Sequence, residues 1–365
     1  MLRIVDAWPD RERVNGRMAV TLSEVARHAG VSLATASRAL NGSVRTVGAE
    51  LAAKVRASAD ALGYLPNAPA QALARAATAN VGVLLHDIAD PYFAAIARGV
   101  SDAAVEAGLL PLVVNTDGDP DAQVRGIRML HGQRVRAIIL AGSAHTDPAA
   151  TLASDAALAD YRSDGGRVAT VTDHGPGYDA VLPDNRRGAA ELTRALLDLG
   201  HRRFAVITGP QRLRVSADRL AGVREALAGA GLGLAESAVQ HAEFSRSGGA
   251  AAMGRLLAGP AGSWPTAVLA LSDVCAVGAL GELRRRGVDV PGRISVAGFD
   301  DVPFAVDVAP ALSTVRLPLE QLGSHAVRLA LEAARPGERP VRSALAARVV
   351  LRDSTAPPPG PTARQ

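Results

Sequence analysis

From Val81 onward, short apolar runs alternate with longer stretches of helical periodicity, and this alternation constrains the fold more than any other feature. The runs Val81–Leu85, Leu112–Asn115, Ala137–Ala141, Val168–Val171, Phe204–Thr208, Val268–Leu271 and Ile294–Gly298 read as strands. Helical patterns at Ala94–Ala107, Gln123–Leu130, Ala189–Leu197 and Ala217–Ala228 fall between them. Strands separated by helices pair in parallel, with the helices covering both faces of the sheet. The chain also repeats itself: Gly99-Val-x-x-Ala-x-x-x-Ala-Gly-Leu109 recurs as Gly222-Val-x-x-Ala-x-x-x-Ala-Gly-Leu232, each after a subdomain's first strand. The expected core is therefore α/β, two doubly wound parallel-sheet subdomains with a ligand cleft between their strand ends.

The length of 365 residues suits two or three domains. With 48% hydrophobic and 21% charged residues, the composition excludes a disordered chain. A single cysteine, Cys275, excludes a disulfide framework and a cysteine-based zinc site. No run approaches the roughly 18 apolar residues of a membrane span, and the first seventeen residues lack the apolar centre of a secretory signal. A soluble, cytoplasmic protein is expected.

The net charge of +4 is localised. Residues 1–76 carry ten Lys/Arg against six Asp/Glu, and the rest of the chain balances. Phosphates attract basic surfaces, so the N-terminal fifth is a candidate nucleic-acid module, with a solvated basic tail as the plainer reading. Thr21-Leu22-Ser23-Glu24 forms a capping box that starts a helix. Leu22, Val25, Ala26 and Ala29 share one face, Gly30 permits a sharp turn, and Ser32 caps a second helix through Leu40. Leu51, Val55, Ala59 and Leu62 give a third helix its apolar stripe. The set is a helix-turn-helix.

The stretch from Val20 to Gly42, with Leu62-Gly-Tyr-Leu-Pro-Asn67 and Ala70-Gln-Ala-Leu-Ala74 after it, resembles the headpiece of the lactose/galactose repressor (LacI/GalR) family. Ala36 replaces that family's usual valine. The resemblance implies that the second helix enters the major groove, with Leu33, Ala34 and Arg38 at base-reading positions. Leu33 and Ala34 donate no hydrogen bond, whereas Arg38 can engage guanine in bidentate fashion. Thr21, Ser32, Thr35, Ser37 and Asn41 suit phosphate contacts. The hinge that follows implies further DNA contacts at Asn67 and Ala70, with Leu73 wedged into the minor groove at a central step.

The resemblance runs on to about residue 355 through Asp90-Pro-Tyr-Phe93, Asp184-Asn185, Leu199-Gly-His-Arg-Arg203, Arg219-Leu-Ala-Gly222, Ser272-Asp273 and Ile294-Ser-Val-Ala-Gly-Phe-Asp-Asp301. The core it implies is like that of periplasmic sugar-binding proteins. Asp90, Tyr92, Phe93, Arg219, Asp273 and Asp300 fall where that family contacts its effector, a chemistry suited to polyols. Asp90, Ser272 and the segment Asp173-His174-Gly175-Pro176 depart from the family's commonest residues. There is no dinucleotide fingerprint, Walker loop, nucleophile elbow or histidine spacing for metal, so neither an enzyme nor a cofactor or metal is expected.

The organisation expected is a disordered extension over 1–19, a DNA-binding domain over 20–66, a hinge over 67–78, an effector-binding and dimerisation core over 79–355, and a disordered tail over 356–365. Met18-Ala19-Val20-Thr21 also fits a start of translation at Met18. The expected function is a homodimeric regulator, a repressor that binds a palindromic operator in double-stranded DNA and answers to a sugar-like effector. The alternatives are a corepressor-dependent regulator and a solute-binding protein without a regulatory role. Four prolines after Thr355 exclude a C-terminal helix that would join dimers into tetramers.

Overall fold

The structure, a computed structural model, describes residues 20–41, 47–64, 78–332 and 339–359. The chain divides into two compact units, one ending at Thr78 and the other starting at Ala79. In the first, Thr21 and Glu24 form the reciprocal cap of α1 (Leu22–Ala29). Gly30 ends that helix at φ +66°, a conformation that only glycine adopts without strain. Ser32 Oγ then accepts the Thr35 N–H over 3.1 Å at the start of α2 (Leu33–Asn41). With α3 (Ala49–Leu62), these helices enclose Val25, Ala26, Ala29, Ala36, Val55 and Ala59.

One expectation fails here. Leu51 is 39% exposed, and Ala52 is buried instead. Residue 51 also keeps the three-and-four spacing with Val55, so spacing alone does not decide its burial; it stands in the first turn of α3, where the stripe begins.

The second unit contains two parallel sheets. The strands of the first are β1 (Asn80–Leu85), β2 (Leu110–Asn115), β3 (Ala137–Leu140), β4 (Arg167–Val171), β5 (Asp179–Pro183) and β11 (Arg342–Leu345), in the order β11-β5-β4-β3-β1-β2. The second has β6 (Phe204–Thr208), β7 (Val239–His241), β8 (Ala267–Ala270) and β9 (Ser295–Ala297), in the order β7-β6-β8-β9. A short antiparallel pair joins β10 (Thr314–Arg316) to β12 (Arg348–Val350).

Helices α4 (Pro91–Glu106), α5 (Pro120–Gly132), α6 (Pro148–Ser163) and α11 (Leu319–Leu331) pack on the first sheet. The second is flanked by α8 (Arg214–Gly229), α9 (Arg246–Leu256) and α10 (Asp273–Arg285), and α7 (Asn185–Asp198) packs against α8. The backbone crosses between the subdomains three times, after β5, after β10 and after β11.

The eleven-residue repeat has a packing cause. A Cβ on Gly99 would lie 1.9 Å from the Glu320 carbonyl oxygen, and one on Gly222 would lie 2.0 Å from that of Arg186. Each repeat thus places a glycine where its helix touches the backbone near a neighbouring helix, α11 in one subdomain and α7 in the other.

The C-terminal segment corrects another expectation. Disorder is expected from residue 356, yet the Ala356 carbonyl oxygen lies 2.9 Å from His201 Nε2 and accepts from Ser295 Oγ at 3.1 Å. His201 is fully buried, and this carbonyl satisfies its outer nitrogen. Prolines prevent a helix but not an extended segment held by its carbonyls.

Candidate functional site

In the N-terminal unit, α2 presents Leu33, Ala34 and Arg38 to solvent, and Leu33 is 51% exposed. Leu33 stands in the first turn of α2 and is not among the residues packed into the core of the unit. Ser32 and Thr35 are occupied with capping, their hydroxyls 2.8 Å apart, and Thr21 holds α1. Ser37 is partly buried, and Asn41 is the last residue of α2. Asn67, Ala70 and Leu73 lie outside the described residues.

The core carries a cavity of about 280 Å³. Both sheets place their first strand between the second and third, and a crevice opens where chain connections leave such a point in opposite directions. The cavity occupies that place. Its lining includes His86 and Asp87 after β1, Ala141 and Ser143 after β3, Pro210 after β6, and Ser272 after β8.

Of the residues singled out from sequence, Asp90, Tyr92, Phe93, Arg219 and Asp300 line this cavity together. Asp90 caps α4 by accepting the Tyr92 N–H over 2.9 Å, and burial pushes its carboxyl above the usual range. Tyr92 and Phe93 stack edge to face at 4.9 Å. Arg219 is almost wholly engaged: Nε donates to Asn185 Oδ1, Nη1 to the Leu271 carbonyl, and Nη2 to Asp300 Oδ1, at 2.7–2.8 Å. Its guanidinium also lies 4.0 Å from the centroid of the Phe299 ring. Asp300 adopts φ +116°, and burial pushes its carboxyl up to about 7 against the pull of Arg219.

Asp273 corrects the expected set. It is fully buried and does not line the cavity, because Thr314 Oγ1 and the Val302 N–H donate to its two carboxylate oxygens. Asp301 is structural as well, pairing with Arg316 and Arg352 and tying the segments after β9 and β12 together.

Several lining residues were missed from sequence. His86 packs 5.5 Å from Phe93, and burial, reinforced by His174, His145 and Arg212, lowers its imidazole to about 4. It is a neutral donor and acceptor at ordinary pH. Arg212 pairs with Glu243 through two contacts of 3.0 and 3.1 Å. Ser143 Oγ accepts the Val215 N–H, and backbone bonds from Thr146 N to Arg212 O and from Arg214 N to Ala144 O close one side of the cleft. The departing segment at 173–176 is absorbed there, with Asp173 bridging Arg214 and Arg342. The available signal for His86 was its place immediately after a strand's carboxyl end.

Among the described residues, no three His, Cys, Asp or Glu side chains form a metal-binding group, and no helix is long and apolar enough to cross a membrane. Residues 21–67 match the profile of the lacI family of bacterial regulatory proteins, and residues 193–355 that of periplasmic binding protein-like domains. The chain is 36% identical to the HTH-type transcriptional regulator GalR of Escherichia coli K12, over 85% of this chain and 88% of that protein. It is 33% identical to the ribose operon repressor of the same bacterium, over 84% and 91%. Among solved structures, the lac repressor dimer bound to operator and the anti-inducer ONPF superposes with a TM-score of 0.80 at 27% identity, covering 93% of this chain and all of that one. A complex of the transcriptional regulator CelR with cellobiose gives 0.67 at 30% identity, covering 92% and 99%.

Proposed function

The chain belongs to the lacI family of DNA-binding transcriptional regulators, and from that premise we propose that it is a homodimeric repressor released from a palindromic operator by a small polyol. The observation that carries this reading is the cavity at the switch points of both sheets, in a chain that also presents the exposed first turn of a helix-turn-helix. A DNA-binding module alone has no use for such a cavity, and a solute carrier has none for the headpiece.

In this reading Arg38 reads a guanine, and Leu33 and Ala34 meet base methyls or exclude larger groups. Thr21, Ser32, Thr35, Ser37 and Asn41 set the register on phosphates. Asn67, Ala70 and Leu73 complete the contact from the hinge, Leu73 as the minor-groove wedge. A single headpiece buries too little surface for tight binding at physiological salt, so two act together on symmetric half-sites. In the core, Asp90 and Arg219 engage hydroxyl pairs, Tyr92 and Phe93 pack on the apolar face of a ring, and Asp300 orients Arg219. Its relatives are regulators, and the chain acts by binding rather than by catalysis.

Selection of a random DNA pool on the purified protein tests this. A palindromic sequence should emerge, and a neutral sugar should release it. Enrichment of no sequence, or of a site without two-fold symmetry, overturns the reading.

A further inference from the structure

The cavity holds more acid than base. Its lining carries the carboxylates Asp87, Asp90, Asp117, Glu243 and Asp300 against the guanidiniums Arg212 and Arg219, a formal charge of −3. Both guanidiniums already balance a carboxylate of the same lining: Arg212 meets Glu243 through two contacts, and Arg219 meets Asp300 at 2.8 Å. The remaining three carboxylates form no ion pair among the described residues, and each holds only one donor. Asp87 Oδ1 accepts from the Ala89 N–H, Asp90 Oδ1 from the Tyr92 N–H, and Asp117 Oδ1 from Asn115 Nδ2, at 2.6–2.9 Å. The second oxygen of each is left for a ligand.

Three uncompensated carboxylates on one lip fix what can enter. A carboxylate accepts readily from hydroxyl or ammonium groups, but it offers a phosphate or a second carboxylate only repulsion in a partly water-excluding site. Helix N-termini oppose this with about half a positive charge each: that of α4 is capped by Asp90, and those of α8 and α10, whose N-caps Leu213 and Ser272 line the cavity without a side-chain cap, together offset about one of the three negative charges. His86, Ser143 and Thr172 add neutral hydrogen-bonding groups to the same lining.

We infer that this cavity selects its effector by charge, accepting a neutral or ammonium-bearing polyol and rejecting sugars that carry phosphate or carboxylate. The inference rests on the reading of the cleft as the effector site and adds a class of ligand to it.

Calorimetry on the full-length protein tests it with matched sets: galactose, galactosamine, galacturonate and galactose 1-phosphate, and the glucose, ribose and cellobiose counterparts. The neutral or amino member of one set should bind, with its anionic partners at least about tenfold weaker. In the Asp87→Asn/Asp117→Asn double variant that gap should narrow severalfold. An anionic member that binds as tightly as its neutral partner overturns the inference, and so does a gap unchanged in the double variant. Binding by no neutral or amino member overturns it too. Operator binding, measured in parallel without ligand, separates the two readings. A protein that holds its operator but prefers anions loses only the charge rule, whereas one that selects no DNA loses the regulator reading alone.

Discussion

Arg219 and Asp300 lie eighty-one residues apart in sequence and form a salt bridge of 2.8 Å at the wall of the cavity, both almost fully buried. The guanidinium simultaneously holds Asn185 at the start of α7 and the Leu271 carbonyl beyond β8. One side chain therefore fixes the relative positions of four segments that meet at the carboxyl edge of the second sheet.

Replacing Arg219 by methionine should destabilise the core by about 3–5 kcal/mol, because it leaves Asp300 buried without its partner. Urea unfolding of the two proteins measures this. A loss under about 1 kcal/mol would mean that water or local movement rescues the carboxylate.

On a selected operator, Arg38→Ala should weaken binding by about 1–3 kcal/mol and relax preference at one base pair per half-site. Titration of the parent and variant on operators with each base permuted is the measurement. A uniform loss across sequences would place Arg38 on phosphate instead.

His86 gives the fold a dependence on pH with a definite sign. Its imidazole falls from 6.5 in the unfolded chain to about 4 in the fold. Between those values the unfolded chain holds more protons, so the contribution is whole above pH 6.5 and is lost as pH falls through 4. From pH 7 to pH 4 the parent should therefore lose about 2–3 kcal/mol more stability than His86→Gln. Asp300, raised to about 7, acts in the opposite direction but equally in both proteins. Equal slopes of stability against pH would show that His86 does not titrate in this way.

The repeated glycines should be intolerant of even one added methyl. At Gly99 and Gly222 the new Cβ would collide with a backbone oxygen, and Ala at either should destabilise by roughly 1–3 kcal/mol, as overpacking does. Gly229, in the last turn of α8, has nothing within 4 Å of where a methyl would stand, and should gain up to about 1 kcal/mol from the same change. Thermal unfolding of the three variants distinguishes these outcomes, and similar shifts at all three would refute the packing account.

Periodicity makes the long elements legible. The seven apolar runs from Val81 to Gly298 each hold a strand within a few residues of where they place it, whereas β5, Asp-Ala-Val-Leu-Pro, is not among them. By contrast β11, Arg-Ser-Ala-Leu, has exposed arginine and alanine positions and finds its place only by pairing with β5. The three-residue strands β7 and β10 are too short to show a period. The cavity is legible where motif residues sit on helices or strand ends, as at Asp90 and Arg219. Arg212 and Glu243 escape because each comes singly from a loop, and only the fold brings them within 3.0 Å. Asp273 misleads because a motif fixes the backbone position of a residue, whereas Thr314 and Val302, both distant in sequence, decide where its carboxylate is bound.

The three crossings of the chain set a timetable for its making. The first sheet's edge strand, β11, pairs with β5, and α11 covers β3, β4 and β5, yet both are translated about 140–160 residues after β5. At a ribosomal pace of about 5–20 residues per second, that sheet waits roughly ten to thirty seconds for its last members. Until they emerge, one apolar face and an unpaired edge stay open, the surfaces through which nascent chains aggregate or recruit chaperones. The subdomain that begins first can be completed only near the end of synthesis, so the two halves of the core mature as one.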